Sequence, residues 1–325
     1  LLDVHVTGEV RGMGNWIGGL VGATGGQLHD ASSDVRVISE ANGAYYIGGL
    51  AGGMFKGFNG TVLRSSSAGS VEAASEYYVG GLIGMVQDGT SLRYVNSSAD
   101  VRGRDRVGGL IGQNAALVED AYSTGSVFGI GINQNQATGG LVGENLGTLS
   151  RTFAAGPVSG TGGSNGYYGT GGLVGINAAG ANIYHSFSTG PVTGDRDAGG
   201  LVGKNSGQVW DAYSTSPISG NHRVGGFVGS NEGVIGKAFS TGYVQGLSET
   251  VHGFVGQDSG TTGHPSIGLV VWDVETSGRT SSGTSSPYAI GLTTQQMMQE
   301  STYAAAGGLS SESAIIDGVS YPFYK

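Results

Sequence analysis

Ala121-Tyr122-Ser123-Thr124-Gly125-Ser126-Val127, followed by Gly139-Gly140-Leu141-Val142-Gly143-Glu144-Asn145, is a pair of short glycine-punctuated runs that recurs along the chain. The Gly-Gly-(Leu/Phe)-x-Gly element starts at Gly18, Gly48, Gly80, Gly108, Gly139, Gly171, Gly199 and Gly225, and a ninth copy, His252 to Gly256, lacks the first glycine. The second glycines stand 26 to 32 residues apart. The other element recurs at Ser186 to Val192, Ala212 to Ile218 and Ala238 to Val244. It is weaker at Ala31 to Val37, Ser65 to Val71, Val95 to Val101 and Thr152 to Val158. Val4 to Val10 fits it too, so the first residues enter in mid-repeat. Both elements are rich in β-branched residues and bounded by glycine, which reads as strand. So much glycine would cost a helix about 1 kcal/mol per residue relative to alanine. Short strands repeating every ~28 residues match one coil of a solenoid, whereas a propeller blade needs about 40–45. The fold expected is an all-β, right-handed parallel β-helix of about nine coils, each too small to bury a core alone.

Strand side chains alternate between faces. In the seven-residue element the seventh position holds Val10, Val37, Val71, Val101, Val127, Val158, Val192, Ile218 and Val244, and the third is mostly serine or alanine. The even positions hold Glu9, Asp34, Arg36, Asp100, Pro157, Pro191 and Pro217. Odd positions therefore belong inside and even positions outside, with the strand ending near the prolines, which have no N–H to donate. The second position then forms an outward aromatic column, Tyr122, Phe153, Phe187, Tyr213 and Phe239, beside a threonine column of Thr124, Thr189, Thr215 and Thr241. Two readings follow for the rings. They stack on one another or lie under a loop and stabilise the ladder, or they form an exposed platform for sugar rings or a partner protein.

In the Gly-Gly element Leu20 through Phe254 form a core column. The next residue is apolar too, as in Val142, Val174, Val202 and Val228, and a strand apolar on both sides is usually covered on both. The cover expected for this second face is another part of the chain or another copy. Asn114, Asn145, Asn177, Asn205 and Asn231, with Asp258 next in line, read as turns with stacked side-chain amides.

Glycine contributes 66 of 325 residues, yet without the three-residue period of collagen. Charged residues are 12% and the net charge is −9, which argues against a nucleic-acid partner. Cysteine is absent, so thiol nucleophiles and thiolate metal sites are excluded. The histidines His5, His29, His185, His222, His252 and His264 share no ligand spacing. The calcium-binding β-roll motif lacks its aspartate, so no metal is implied. No cofactor is implied either. No apolar stretch approaches the ~20 residues of a membrane-spanning helix. Ice binding would want two parallel threonine rows, and one short row is present.

The repeat Gly-Gly-Leu-Val-Gly-x-Asn followed by Ala-Tyr-Ser-Thr-Gly-x-Val resembles the GLUG-motif repeat of bacterial filamentous-haemagglutinin-like exoproteins and some IgA-peptidase-associated surface proteins. The likeness covers residues 1 to about 260, with Ala51 and Met54 departing from the pattern. It implies secretion, a β-helix and a structural or adhesive role at a cell surface, and it carries no catalytic residues. Residues 1–260 are thus expected to form the repeat domain. Residues 261–325, with a short helix at Thr293 to Gln299 and the aromatics Trp272, Tyr303, Tyr321, Phe323 and Tyr324, are expected to form a C-terminal cap or assembly segment. A β-helix end is a row of unpaired backbone groups. Cover of the N-terminal end by a neighbour's tail would give a head-to-tail filament, with other copies, a glycan or a host surface protein as partners. The competing class is a β-helical polysaccharide lyase or hydrolase, whose candidates are Glu119, Asp120, Asp195, Arg196 and Asp197.

Overall fold

A computed structural model describes the chain except for residues 41, 42, 44, 58, 59, 132–134, 162–166, 305–312, 317 and 325. The strands stack in parallel into a β-solenoid of about nine turns, without barrel closure. Nine short strands, from Val21–Thr24 through Val142–Asn145 to Val255–Asp258, make one sheet, each paired with its counterpart one repeat away. The remaining strands of the coils form a continuous 26-stranded sheet. Equivalent residues stand in register: Val142 faces Val174, Val174 faces Val202, and Val202 faces Val228. The seven-residue element behaves the same way, with Val4 opposite Ala31 and Val10 opposite Val37 in the first coil.

The Gly-Gly corner explains one correction. Leu141 and Val142 are adjacent, yet both are 0% exposed and belong to one core. In an unbroken strand they would face opposite sides. Here the chain bends at Gly140-Leu141, and the N–H groups of Leu141 and Val142 both donate to the carbonyl of Leu173, at 2.8 and 3.0 Å. The bend turns the second apolar column inward. Val142, Val174, Val202 and Val228 are therefore packed inside the coil, and their cover is the chain's own core rather than a second copy.

The coil is thin at this corner. The third-position serines point inward, and Ser123, Ser188 and Ser240 donate to the carbonyls of Gly140, Gly200 and Gly253 at 2.6, 2.7 and 3.0 Å. Only a small side chain fits between the seven-residue element and the glycine corner, which is why that position holds serine or alanine in every copy after the first, where it is Val6. Seventh-position valines fill two further clusters. Pro157, Pro191 and Pro217 sit in breaks of the strand, as expected, and the strand resumes at the next residue. Their carbonyls still accept from Val127, Val158 and Val192.

The asparagine column is a buried amide ladder. Asn114, Asn145, Asn177, Asn205 and Asn231 are each 0% exposed. Every Nδ2 donates to the next Oδ1 at 2.8–2.9 Å, and Asn231 donates to the Asp258 carboxylate at 2.9 Å. Several amides also close their own turn, as where Asn114 exchanges two 3.0 Å bonds with the backbone of Ala116.

A second corner lies just before the seven-residue element. Asp30, Arg64, Tyr94, Asp120, Arg151, His185, Asp211 and Lys237 all have φ between 46° and 55°. Left-handed backbone costs an L-residue about 1–2 kcal/mol. Several of these residues are tied across coils by paired hydrogen bonds: Arg64 to Asp30 at 2.7 and 2.8 Å, Arg151 to Asp120 at 2.7 and 3.0 Å.

The tail prolongs the array before it folds back. Val270–Asp273 pairs with Val234–Ser240, and Ala289–Leu292 pairs with Val270–Asp273. The backbone N–H groups of Gly253 and Val255 donate to Ser281 and Ser282, so the last coil's edge is covered. The expected helix is shorter, Thr294–Met297, with Thr293 as N-cap in a capping box with Gln296, and a second short helix follows at Glu300–Ala304. At the other end, Leu2–Gly12 pairs only with Gln27–Ser39 among the described strands.

Candidate functional site

The aromatic column exists as a continuous stack on the outside of the solenoid. Ring centroids of Tyr122, Phe153, Phe187, Tyr213 and Phe239 follow one another at 4.9, 5.0, 4.8 and 4.8 Å, with interplanar angles of 4–7°. Strand register fixes the spacing, since these residues face one another pairwise across the sheet. At such distances each ring covers its neighbour's face. A sugar lays its apolar face on an aromatic face, so the ladder has no place for sugars between its rungs. What it presents outward is a strip of ring edges. Tyr122, which follows Asn96 in the column, has no ring on its N-terminal side.

The strip is open at one end and occupied at the other. Tyr122 is 37% exposed, while Tyr213 and Phe239 are 9% and 8% exposed. The difference is made by the tail: Met297 and Tyr303 bury against Tyr213, Phe239 and Val271, with Leu292, Ile315 and Tyr321 packed alongside. The two readings of the column thus divide along its length, cover applying to the last rungs and exposure to the first. A buried carboxylate anchors the tail. Asp273 accepts from the Tyr321 hydroxyl at 2.6 Å, from Thr294 Oγ1 at 2.7 Å, and from the backbone N–H groups of Glu275 and Thr276 at 2.8 and 3.0 Å. Burial works to raise the Asp273 carboxyl, but these donors together hold it below the usual aspartate value.

A second aromatic cluster was missed in the sequence. Trp16 stacks on Tyr46 at 3.9 Å, Tyr46 on Tyr78 at 4.9 Å, and Tyr45 on Tyr77 at 5.0 Å. Guanidinium groups close both short stacks, Arg106 over Tyr78 at 5.0 Å and Arg104 over Tyr77 at 4.9 Å. Its signal was legible: Tyr45-Tyr46 and Tyr77-Tyr78 each stand immediately before an (Ile/Val)-Gly-Gly run.

The charged candidates for catalysis do not converge. Glu119 and Asp120 stand at the left-handed corner and pair with Arg93 and Arg151. Asp195 and Asp197 lie on another strand, Val192–Gly199, where Asp195 accepts from Asn221 at 2.7 Å and Arg196 faces His222. Asp197 is 2% exposed and gripped by Arg223 at 2.6 and 2.7 Å. Burial pushes its carboxyl up to about 6 against the pull of that guanidinium. A carboxyl whose value is higher folded than unfolded favours the fold at low pH, and this contribution is lost as pH rises from about 4 to about 6. Asp197→Asn should flatten the slope of stability over that interval, as read from urea midpoints. An unchanged slope would contradict the assignment.

A groove of about 710 Å³ runs over four coils and is lined by Ser159, Thr193, Asp195, Ser219, Asn221 and Gln245 around a row of glycines. Asp195 is the one carboxylate among its described lining residues. Among the described residues no group of three His, Cys, Asp or Glu side chains could hold a metal ion, and no helix is long and apolar enough to cross a membrane. No protein-family model, curated protein or solved structure matches this chain.

Proposed function

We propose that this chain is a non-enzymatic, extracellular structural and adhesive β-solenoid of the GLUG-motif kind, whose outward aromatic ladder is the contact surface. The observation that carries this reading is the partly open stack itself. Five aromatic rungs are held in register on the outside of a rigid rod, and the first of them remain accessible. Isolated exposed apolar residues need no explanation, but an ordered apolar strip does. The acidic, sparsely charged composition and the repeat's resemblance to surface exoproteins support the same reading. The cluster around Tyr45, Tyr46, Tyr77 and Tyr78 offers further ring surface near the N-terminal coils. In the filament form of this reading, the N-terminal coil of one copy meets the far end of a neighbour. There the last coil is already covered by Ser281 and Ser282, so the contact is made on the tail rather than with a free strand.

The test is the double substitution Tyr122→Ser with Phe153→Ser, in the full chain, assayed for adhesion to cell or protein-coated surfaces. Both side chains point out of the core, so strand content by circular dichroism should be kept while adhesion falls about tenfold or more. Undiminished adhesion by a folded variant would refute the reading.

The groove around Asp195 favours a second reading, a polysaccharide-active enzyme in which Asp195 is the acid or base. Incubation with acidic and neutral polysaccharides separates the two. Product formation that disappears in Asp195→Asn would establish the enzyme.

A further inference from the structure

We infer that the open half of the ladder, Tyr122 and Phe153 up to the border at Phe187, docks an apolar-faced helical peptide segment carrying methionine or aromatic side chains, rather than a sugar. The inference rests on the adhesive reading and names the class of partner. Three observations carry it.

First, at 4.8–5.0 Å and nearly parallel, the rings use up one another's faces within the stack, save the N-terminal face of Tyr122, so along its length the strip offers a partner ring edges rather than the row of ring faces on which sugars would lie. Second, the molecule shows what fills such a strip. Its own tail lays Met297, 0% exposed, and Tyr303, 8% exposed, on the same column two rungs further along, from two short helices. A thioether makes favourable contacts at the edges of aromatic rings, which are the parts the stack leaves outward. The open rungs continue that occupied surface without a break. Third, the spacing suits a helix. Side chains at i and i+4 are about 5–6 Å apart, so a helix laid along the rod sets one apolar side chain on each rung. The borders fit a polar rim: Thr124 and Thr189 are exposed on one flank, and the Asp120–Arg151 ion pair stands on the other.

The probe is a synthetic peptide with the sequence of residues 292–304, titrated into the full chain and followed by calorimetry. A Met297→Asp peptide is the control, and a neutral oligosaccharide is the comparison. The expected result is saturable binding of the peptide, weakened about tenfold or more by Tyr122→Ser with Phe153→Ser and absent with the control peptide. If the double variant fails to fold, Tyr122→Ser alone, at the free end of the stack, carries the test. Three results overturn the inference. They are no binding, binding unaffected by these substitutions but lost in Phe239→Ser (the peptide then merely displaces the tail), or oligosaccharide binding that depends on Tyr122. Adhesion lost in the double variant with no peptide binding would leave the adhesive reading standing and remove this one.

Discussion

Alanine at Gly171 or at Gly172 should each destabilise the solenoid by about 3 kcal/mol or more, a large effect for a single methyl group. A Cβ on Gly171 would lie 2.0 Å from the carbonyl oxygen of Val174 and 2.7 Å from the backbone nitrogen of Gly203. On Gly172 it would lie 2.1 Å from the carbonyl oxygen of Gly200 and 3.0 Å from Cβ of Ser188. The nearest of these neighbours are main-chain atoms held in the stacked ladder, so they cannot swing away as a flexible side chain would. Neither glycine has a positive φ, so the requirement is for space and not for conformation. Gly14 is the control: nothing lies within 4 Å of its Cβ position, and Gly14→Ala should stay within about 0.5 kcal/mol. Urea midpoints of the three variants, with hydrogen exchange to locate the loosened coils, measure the contrast. A Gly171→Ala protein that unfolds at the unsubstituted midpoint would contradict the close approach of backbone to backbone.

The same corner shows where sequence reading succeeded and where it stopped. Period and register were legible because each coil contributes one Gly-Gly and one small-residue strand, and a single slip would turn every valine of the seventh column outward. The direction of Val142 and its equivalents was not legible. Alternation holds only inside a strand, and two glycines in a row hide whether the chain runs straight or bends. The left-handed corner at Asp120, Arg151 and His185 gave even less warning. Glycine is the residue expected at positive φ, and this column holds charged and aromatic residues tied by cross-coil pairs that only the stacked structure brings together. Of the candidate site, the five aromatic residues and their outward direction were read directly. Their division into open and covered halves was not, because the covering residues Met297 and Tyr303 lie where the repeat has ended and periodicity says nothing.

The second large effect is expected at the centre of the amide ladder. Asn177→Leu should cost about 3–5 kcal/mol, although leucine is close to asparagine in size and better suited to an apolar interior. Asn177 accepts from Asn145 at 2.9 Å and donates to Asn205 at 2.8 Å, and all three are 0% exposed. Leucine removes a partner from an amide above and an amide below, and each buried polar group left without one costs about 1–3 kcal/mol. Asn114 is the informative comparison. It stands first in the ladder, above it the equivalent residue is Val86, and it has one ladder bond to lose. Asn114→Leu gives up one ladder bond rather than two, beside its two turn bonds to Ala116, and should therefore cost less than Asn177→Leu by about the 1–3 kcal/mol of one buried bond. Asn177→Asp keeps the acceptor, loses the donor and buries a charge, so it should be no milder than leucine. Urea midpoints for the three proteins decide between a ladder and a row of independent turns. If Asn114→Leu and Asn177→Leu lose the same stability, each amide serves only its own turn. If the central substitution costs more than the terminal one by that margin, the bonds between coils carry the difference, and the aligned donors running down to the Asp258 carboxylate act together as one polar spine through the apolar core.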